Sequence, residues 1–119
     1  MKTDCAVFKV VGFASKKWSV LILHEIYKGD KFKRRYSEIK RALPGITPKV
    51  LSARLRELEK NKLIERIVDA KSMPVRSDYV LTERGKDFVR VIKELKSWGI
   101  KWDYGNEHCR ETTCKACGF

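Results

Sequence analysis

An α+β, mostly helical fold is predicted by three features of this sequence. Four helical segments precede any strand, the apolar period shortens after Asn61, and the last long segment returns to helical spacing. At 119 residues the chain has room for one modest core, and its 43% hydrophobic content suits a globular protein rather than a disordered one.

Residues 5–14 are short and apolar and read as a helix, although a Val-rich run also suits a strand. Ser15 is placed to cap a second helix over 16–28. There Trp18, Leu21, Ile22 and Glu25 follow helical spacing while Val20, Leu23, Ile26 and Tyr27 widen the apolar face, the mark of a helix buried on most sides. Gly29-Asp30 ends it, and residues 31–35 form a basic connector with room for a short strand. Ser37 suits the cap of a third helix running to Leu43, with Glu38 in its first turn. Pro44-Gly45 breaks that helix. Thr47-Pro48 opens a fourth with a hydroxyl N-cap followed by Pro at the first helical position, and good helix formers carry it to about Lys60.

Beyond Asn61-Lys62, the groups Leu63-Ile64, Ile67-Val68 and Tyr79-Val80-Leu81 suit two strands, and residues 69–78 read as the hairpin tip between them. Thr82-Glu83 starts a final helix with Phe88, Val91, Ile92, Leu95, Trp98 and Trp102 in one apolar stripe. This order is that of a winged helix-turn-helix with extra N- and C-terminal dimerisation helices. Residues 1–102 form the predicted domain, and 103–119 a cysteine-rich C-terminal tail.

Charge points to the partner. Lys and Arg number 27 against 15 acidic residues, a net charge of +12, which implies an anionic partner, nucleic acid (here double-stranded DNA) first and an acidic membrane surface second. On a helical wheel of the fourth helix, Leu55 and Leu58 fall within about 40° of Leu51, while Lys49, Ala53, Arg56 and Lys60 lie roughly opposite and Ser52 sits on the flank. A helix that shows the core a leucine stripe and shows solvent cations around one small residue meets what a major groove requires. Thr47 stands at the start of the same helix. Arg34, Arg35 and Ser37 are placed to hold phosphates, and Lys71 and Arg76 near the hairpin tip to reach a minor groove or flanking backbone, unless that loop is simply solvated.

Catalysis has no support: there is no Ser/His/Asp set and no phosphate-cradling Gly-rich loop, and His24 lies among apolar residues as a structural histidine. No run approaches the ~20 apolar residues that cross a bilayer. Residues 1–9 carry no signal-peptide pattern, which predicts a cytoplasmic protein without membrane association. The chain has no Gln and only Asn61 and Asn106, a bias found in heat-adapted proteins.

The stretch RRYSEIKRALPGITPKVLSARLRELEKNKLIER (34–66) resembles the central signature of the HxlR-type winged-helix regulators, relatives of the MarR family. KKWSVLILHEI (16–26) is similar to their second helix, and the Pro74 hairpin with YVLTERG (79–85) to the end of their wing and the start of their last helix. The resemblance implies a homodimeric repressor or activator, joined through its first and last helices, that binds a pseudo-palindrome and is sometimes under thiol control. Cys5 falls where many members carry an N-terminal cysteine. The longer basic segment 30–35 and the cysteine tail depart from the pattern.

Val7, Phe8 and Val11 with Phe88, Ile92, Leu95, Trp98 and Trp102 are the expected dimer interface, the two tryptophans having the alternative of capping the chain's own core. In the tail, His108, Cys109, Cys114 and Cys117 spell H-C-x4-C-x2-C, with Cys5 an alternative fourth ligand. Three readings stay open there: a structural zinc, disulfides, or a thiol switch with Cys5 as sensor and Lys2 or Lys9 beside its thiolate. The expected function is a sequence-specific, homodimeric DNA-binding transcriptional regulator, redox- or metal-responsive. The alternative is a winged-helix protein-interaction module with a zinc-stapled tail.

Overall fold

In the computed structural model, which describes residues 3–105 and 107–116, the chain forms α1 (Ala6–Ala14), α2 (Lys17–Lys28), a 3-10 turn (Asp30–Phe32), β1 (Lys33–Arg35), α3 (Tyr36–Ala42) and α4 (Pro48–Lys60). Strands β2 (Ile64–Asp69) and β3 (Arg76–Leu81) follow, then α5 (Glu83–Lys101) and a short α6 (Glu107–Glu111). The antiparallel sheet has the order β1-β3-β2, with Arg35 opposite Asp78 and Ile64 opposite Leu81. This is a winged helix-turn-helix flanked by extra helices at both ends.

Helix α2 lies at the centre because its sequence is apolar on nearly every side. It packs against α1, α3, α4, α5, β1 and β3, and Ile22, Leu23 and Ile26 are wholly buried. Leu51, Leu55 and Leu58 bring α4 onto it, Ile39 brings α3, and Val89 and Ile92 bring α5. No helix among the described residues is long and apolar enough to cross a membrane.

Helix starts follow two different rules. Thr47 caps α4 as expected, its Oγ1 accepting from the Val50 N–H at 3.2 Å, and Thr82 caps α5 through the Gly85 N–H at 3.0 Å. Ser15 does not cap α2. Its N–H is already spent on the Val11 carbonyl at 3.0 Å, so it closes α1 and Lys16 becomes the N-cap. Ser37 likewise sits inside α3, whose N-cap is Arg35, two residues earlier, because Glu38 Oε1 accepts from the Arg35 N–H at 3.0 Å. The hairpin is also longer than expected. Pairing continues to Asp69 opposite Arg76, leaving only residues 70–75 as the tip.

Geometry requires glycine at 45 and at 85. Gly45, at φ 96°, turns the chain between α3 and α4 while Leu43 and Ile46 on either side are buried. A Cβ on Gly85 would collide with the Leu63 carbonyl oxygen, which is how closely α5 starts against the end of the α4–β2 link. Gly45→Val is therefore expected to cost about 1–3 kcal/mol of unfolding free energy from backbone strain. Urea denaturation of the two proteins measures it, and equal midpoints would show that the turn tolerates a side chain.

Candidate nucleic-acid interface

The candidate interface begins with the orientation of α4. With Leu51, Leu55 and Leu58 at 0–1% exposure, the opposite face must point outward. Thr47, Lys49, Arg56 and Lys60 are exposed on it, and Ser52 and Ala53 are half-buried along the same surface. Among the described residues no acidic side chain forms an ion pair with Lys49, Arg56 or Lys60. Glu57, one of the two acids of this helix, serves its flank instead. Glu57 Oε2 accepts from Lys16 Nζ at 2.7 Å and from an Arg54 guanidinium nitrogen at 3.4 Å, which ties α4 to the start of α2. Charge on the outer face is thus left for an outside anion.

The phosphate-holding set divides. Arg35 and Ser37 are exposed at the start of α3 and line one groove with Arg76 and the tip residues Ser72, Met73 and Pro74. The groove measures about 530 Å³, and the wing folds close enough to α3 to share it. Arg34 is turned inward. Its Nε donates to the Glu25 carbonyl at 3.2 Å and its guanidinium lies 3.6 Å from Glu38, so it braces β1 against α2. Arg76 lies on β3 rather than in the loop, with Nε donating to both oxygens of Asp78 at 3.2 and 3.1 Å. Lys71 is exposed at the tip. The tip is shaped by Asp69, whose carboxylate accepts from the Ser72 hydroxyl at 2.7 Å and the Lys71 N–H at 3.0 Å. Those hydrogen bonds, the Ser72 hydroxyl first, hold the Asp69 carboxyl below its usual pKa.

Of the expected interface between helices, Val7, Phe8 and Val11 are exposed on α1, and Leu95, Trp98 and Trp102 on α5, each of the α5 trio more than half accessible. Phe88 packs on Phe13, ring centroids 5.3 Å apart, and Ile92 belongs to the chain's own core. Cys5 is half-buried at the N-terminus of α1. Cys109 lies in α6 beside the exposed His108, and Cys114 in the turn that follows. No disulfide joins Cys5, Cys109 and Cys114 to one another, and among the described residues no three His, Cys, Asp or Glu side chains form a metal-binding group. Cys117 and Lys2 lie outside the described residues.

Residues 13–107 match the sequence profile of the HxlR-like helix-turn-helix family. The chain belongs to that family. It is a family of DNA-binding transcriptional regulators, not of enzymes. Among its relatives, the HTH-type transcriptional regulator YvaP of Bacillus subtilis (strain 168) is 38% identical over 94 residues, covering 79% of this chain and 83% of YvaP. A solved structure from Porphyromonas gingivalis W83, assigned as a MarR-family transcriptional regulator, superposes with a TM-score of 0.76 at 32% identity, covering 85% of this chain and 95% of the other. The reduced form of the transcriptional regulator YodB from B. subtilis gives a TM-score of 0.71 at 33% identity, covering 86% and 98%. YodB has also been solved after diamide treatment and with quinone bound.

Arg56 is exposed on the outer face of α4 and Lys71 at the hairpin tip, and the two positions lead to different expectations. Arg56→Ala is expected to weaken binding to a selected duplex by about 1–3 kcal/mol and to leave binding to random duplex nearly unchanged. Lys71→Ala is expected to weaken both alike and to flatten the dependence of log Kd on log salt by about one unit. Fluorescence anisotropy with the two duplexes over a salt series reads both effects, and identical profiles for the two mutants would refute the division.

Proposed function

We propose that this chain is a sequence-specific regulator of transcription that binds double-stranded DNA as a homodimer, with α4 in the major groove and the β2–β3 wing on the flanking backbone. The observation that carries this reading is the outer face of α4, where Lys49, Arg56 and Lys60 surround Ser52 and Ala53 with no acidic partner among the described residues. A pair of such helices, held by a twofold axis, reads half-sites about one helical turn apart or a multiple of it.

The dimer reading rests on apolar surface. Val7, Phe8, Val10 and Val11 of α1 are 43–62% exposed, and Leu95, Trp98 and Trp102 at the end of α5 are 56–60% exposed, large apolar side chains of the kind that mark an interaction surface. The aromatic share of that surface is typical of an interface core. Phe88 and Ile92, which serve the protomer's own packing, are left out of the proposed contact.

Control by thiol chemistry is the second part of the proposal. Cys5 sits at the first turn of α1, next to the exposed Val7 and Phe8, so modifying it would alter the surface assigned to the partner. The forms in which YodB has been solved, reduced, diamide-treated and quinone-bound, support the same reading.

Replacing Trp98 by Glu places a charge in the proposed interface while leaving the core intact. The expected result is a monomer in sedimentation equilibrium with at least tenfold weaker binding to a two-half-site duplex, as follows from losing the second reading helix. A Trp98→Glu protein that still sediments as a dimer of unchanged DNA affinity would refute this arrangement.

A further inference from the structure

Two parts of the chain depart from the family pattern, the basic segment 30–35 and the cysteine tail, and the structure brings them together. The tail makes a turn at 113–116, closed by the Ala116 N–H, which donates to the Thr113 carbonyl and hydroxyl, each at 3.2 Å. From this turn Lys115 Nζ donates to the carbonyls of Tyr27 and Gly29 at 2.9 and 2.8 Å. The Tyr27 carbonyl is among the last four of α2, which lack a partner inside the helix, and the negative end of the helix dipole favours a cation there. The same ammonium lies 4.5 Å from the Phe32 ring centre and 5.4 Å from that of Tyr27, within range of cation–π attraction.

The receiving groups are arranged by contacts of their own. The Tyr27 and Phe32 rings stack, with centroids 6.0 Å apart and 18° between their planes. The Gly29 carbonyl also accepts from the Phe32 N–H at 3.1 Å, which closes the turn that carries the second ring. Lys31 and Phe32 stand at φ 55° and 57°, in the left-handed region that residues other than glycine seldom adopt and that persists where surrounding contacts hold it. Lys86 and Lys93 of α5 also approach these rings, at 5.2 Å from Phe32 and 5.5 Å from Tyr27. Lys115 differs from both in donating to the carbonyls as well. Two carbonyl acceptors beside two ring faces match a primary ammonium, a compact cation with three donors. A quaternary ammonium would use the rings and leave the carbonyls unpaired.

We propose that the end of α2 and the turn 30–32 form a receptor for a primary alkylammonium group, with Lys115 as its resident ligand, so that one lysine straps the tail to the domain. Cys114, next to Lys115, is half-buried in the strapped segment. Cys109 lies on the far side of Thr112, whose carbonyl is held separately by Lys96 Nζ of α5 at 2.8 Å. Emptying the receptor therefore exposes Cys114 first. The receptor does not rest on the DNA-binding reading, because it is tested without DNA.

Lys115 is exposed and outside the core, so Lys115→Ala keeps the fold of the domain. Iodoacetamide alkylation, resolved residue by residue by peptide mass spectrometry, is expected to reach Cys114 about tenfold faster in Lys115→Ala than in the unmutated chain, with Cys5 as the unchanged reference. In the same variant n-butylammonium is expected to shift the ring protons of Tyr27 and Phe32 saturably. Tetramethylammonium, which has no N–H, is expected to bind about tenfold more weakly. The unmutated chain is expected to show no saturable shift at the same concentrations, because the tethered Lys115 is present at a high effective concentration. An unchanged Cys114 rate, no saturable shift in Lys115→Ala, or equal affinity for the two ammonium ions would overturn the proposal. So would saturable shifts in the unmutated chain, which would show that Lys115 does not fill the receptor.

Discussion

The interface depends on the burial of one leucine stripe. Leu51, Leu55 and Leu58 of α4 are at 0–1% exposure in the core that α2 fills with Ile22, Leu23 and Ile26. Burying a leucine side chain fully contributes roughly 1.5–3 kcal/mol, whereas an exposed ion pair contributes ~0–1. The packing of three leucines therefore outweighs the Lys16–Glu57 and Arg54–Glu57 pairs in deciding which way α4 points. Once that choice is made, helical periodicity leaves no freedom for the opposite face. Lys49, Ala53 and Arg56 must project outward because the leucines project inward.

The wing and the short β1 strand place the remaining cations relative to that helix. β1 pairs with β3, which pairs with β2, so Arg35, at the end of β1, stands opposite Asp78. Arg34 is consumed by the Glu25 carbonyl and Arg76 by Asp78, which shows why a net charge of +12 is not a count of DNA contacts. Of the 27 basic side chains, some pair with the chain's own acids and others donate to its backbone carbonyls. Exposed cations lie on α4, at the start of α3 and at the hairpin tip, and also on α1 and α5, among them Lys9, Arg90, Lys93 and Lys101.

What was legible in the sequence was local. Thr47-Pro48, the 51/55/58 stripe, the Pro44-Gly45 break and the Thr82 cap each specify their structure within a few residues, and each stands where the pattern put it. The misplaced helix starts had competing local solutions: Ser15 was already engaged by α1, and the Glu38 side chain reached back to Arg35. The outer face of α4 was readable because it follows from the inner one. The inward turn of Arg34, the Glu57 hub and the folded-back tail were not readable. Each rests on a contact with a side chain or a backbone carbonyl of another element. Lys115 meets Tyr27 across 88 positions, and no periodicity marks such a bond. Apolar spacing likewise could not separate Ile92, which serves the core, from Leu95 and Trp98, which face outward on the same helix.

The central claim is that the outer face of α4 reads base edges. The most direct measurement is the set of intermolecular nuclear Overhauser effects between this protein and a duplex selected by it from a random pool. The account predicts contacts from the Ala53 methyl and the Ser52 side chain to major-groove base protons, with the β2–β3 tip close only to sugar and backbone. Base contacts from the wing alone, or an α4 whose outer face shows none, would contradict it.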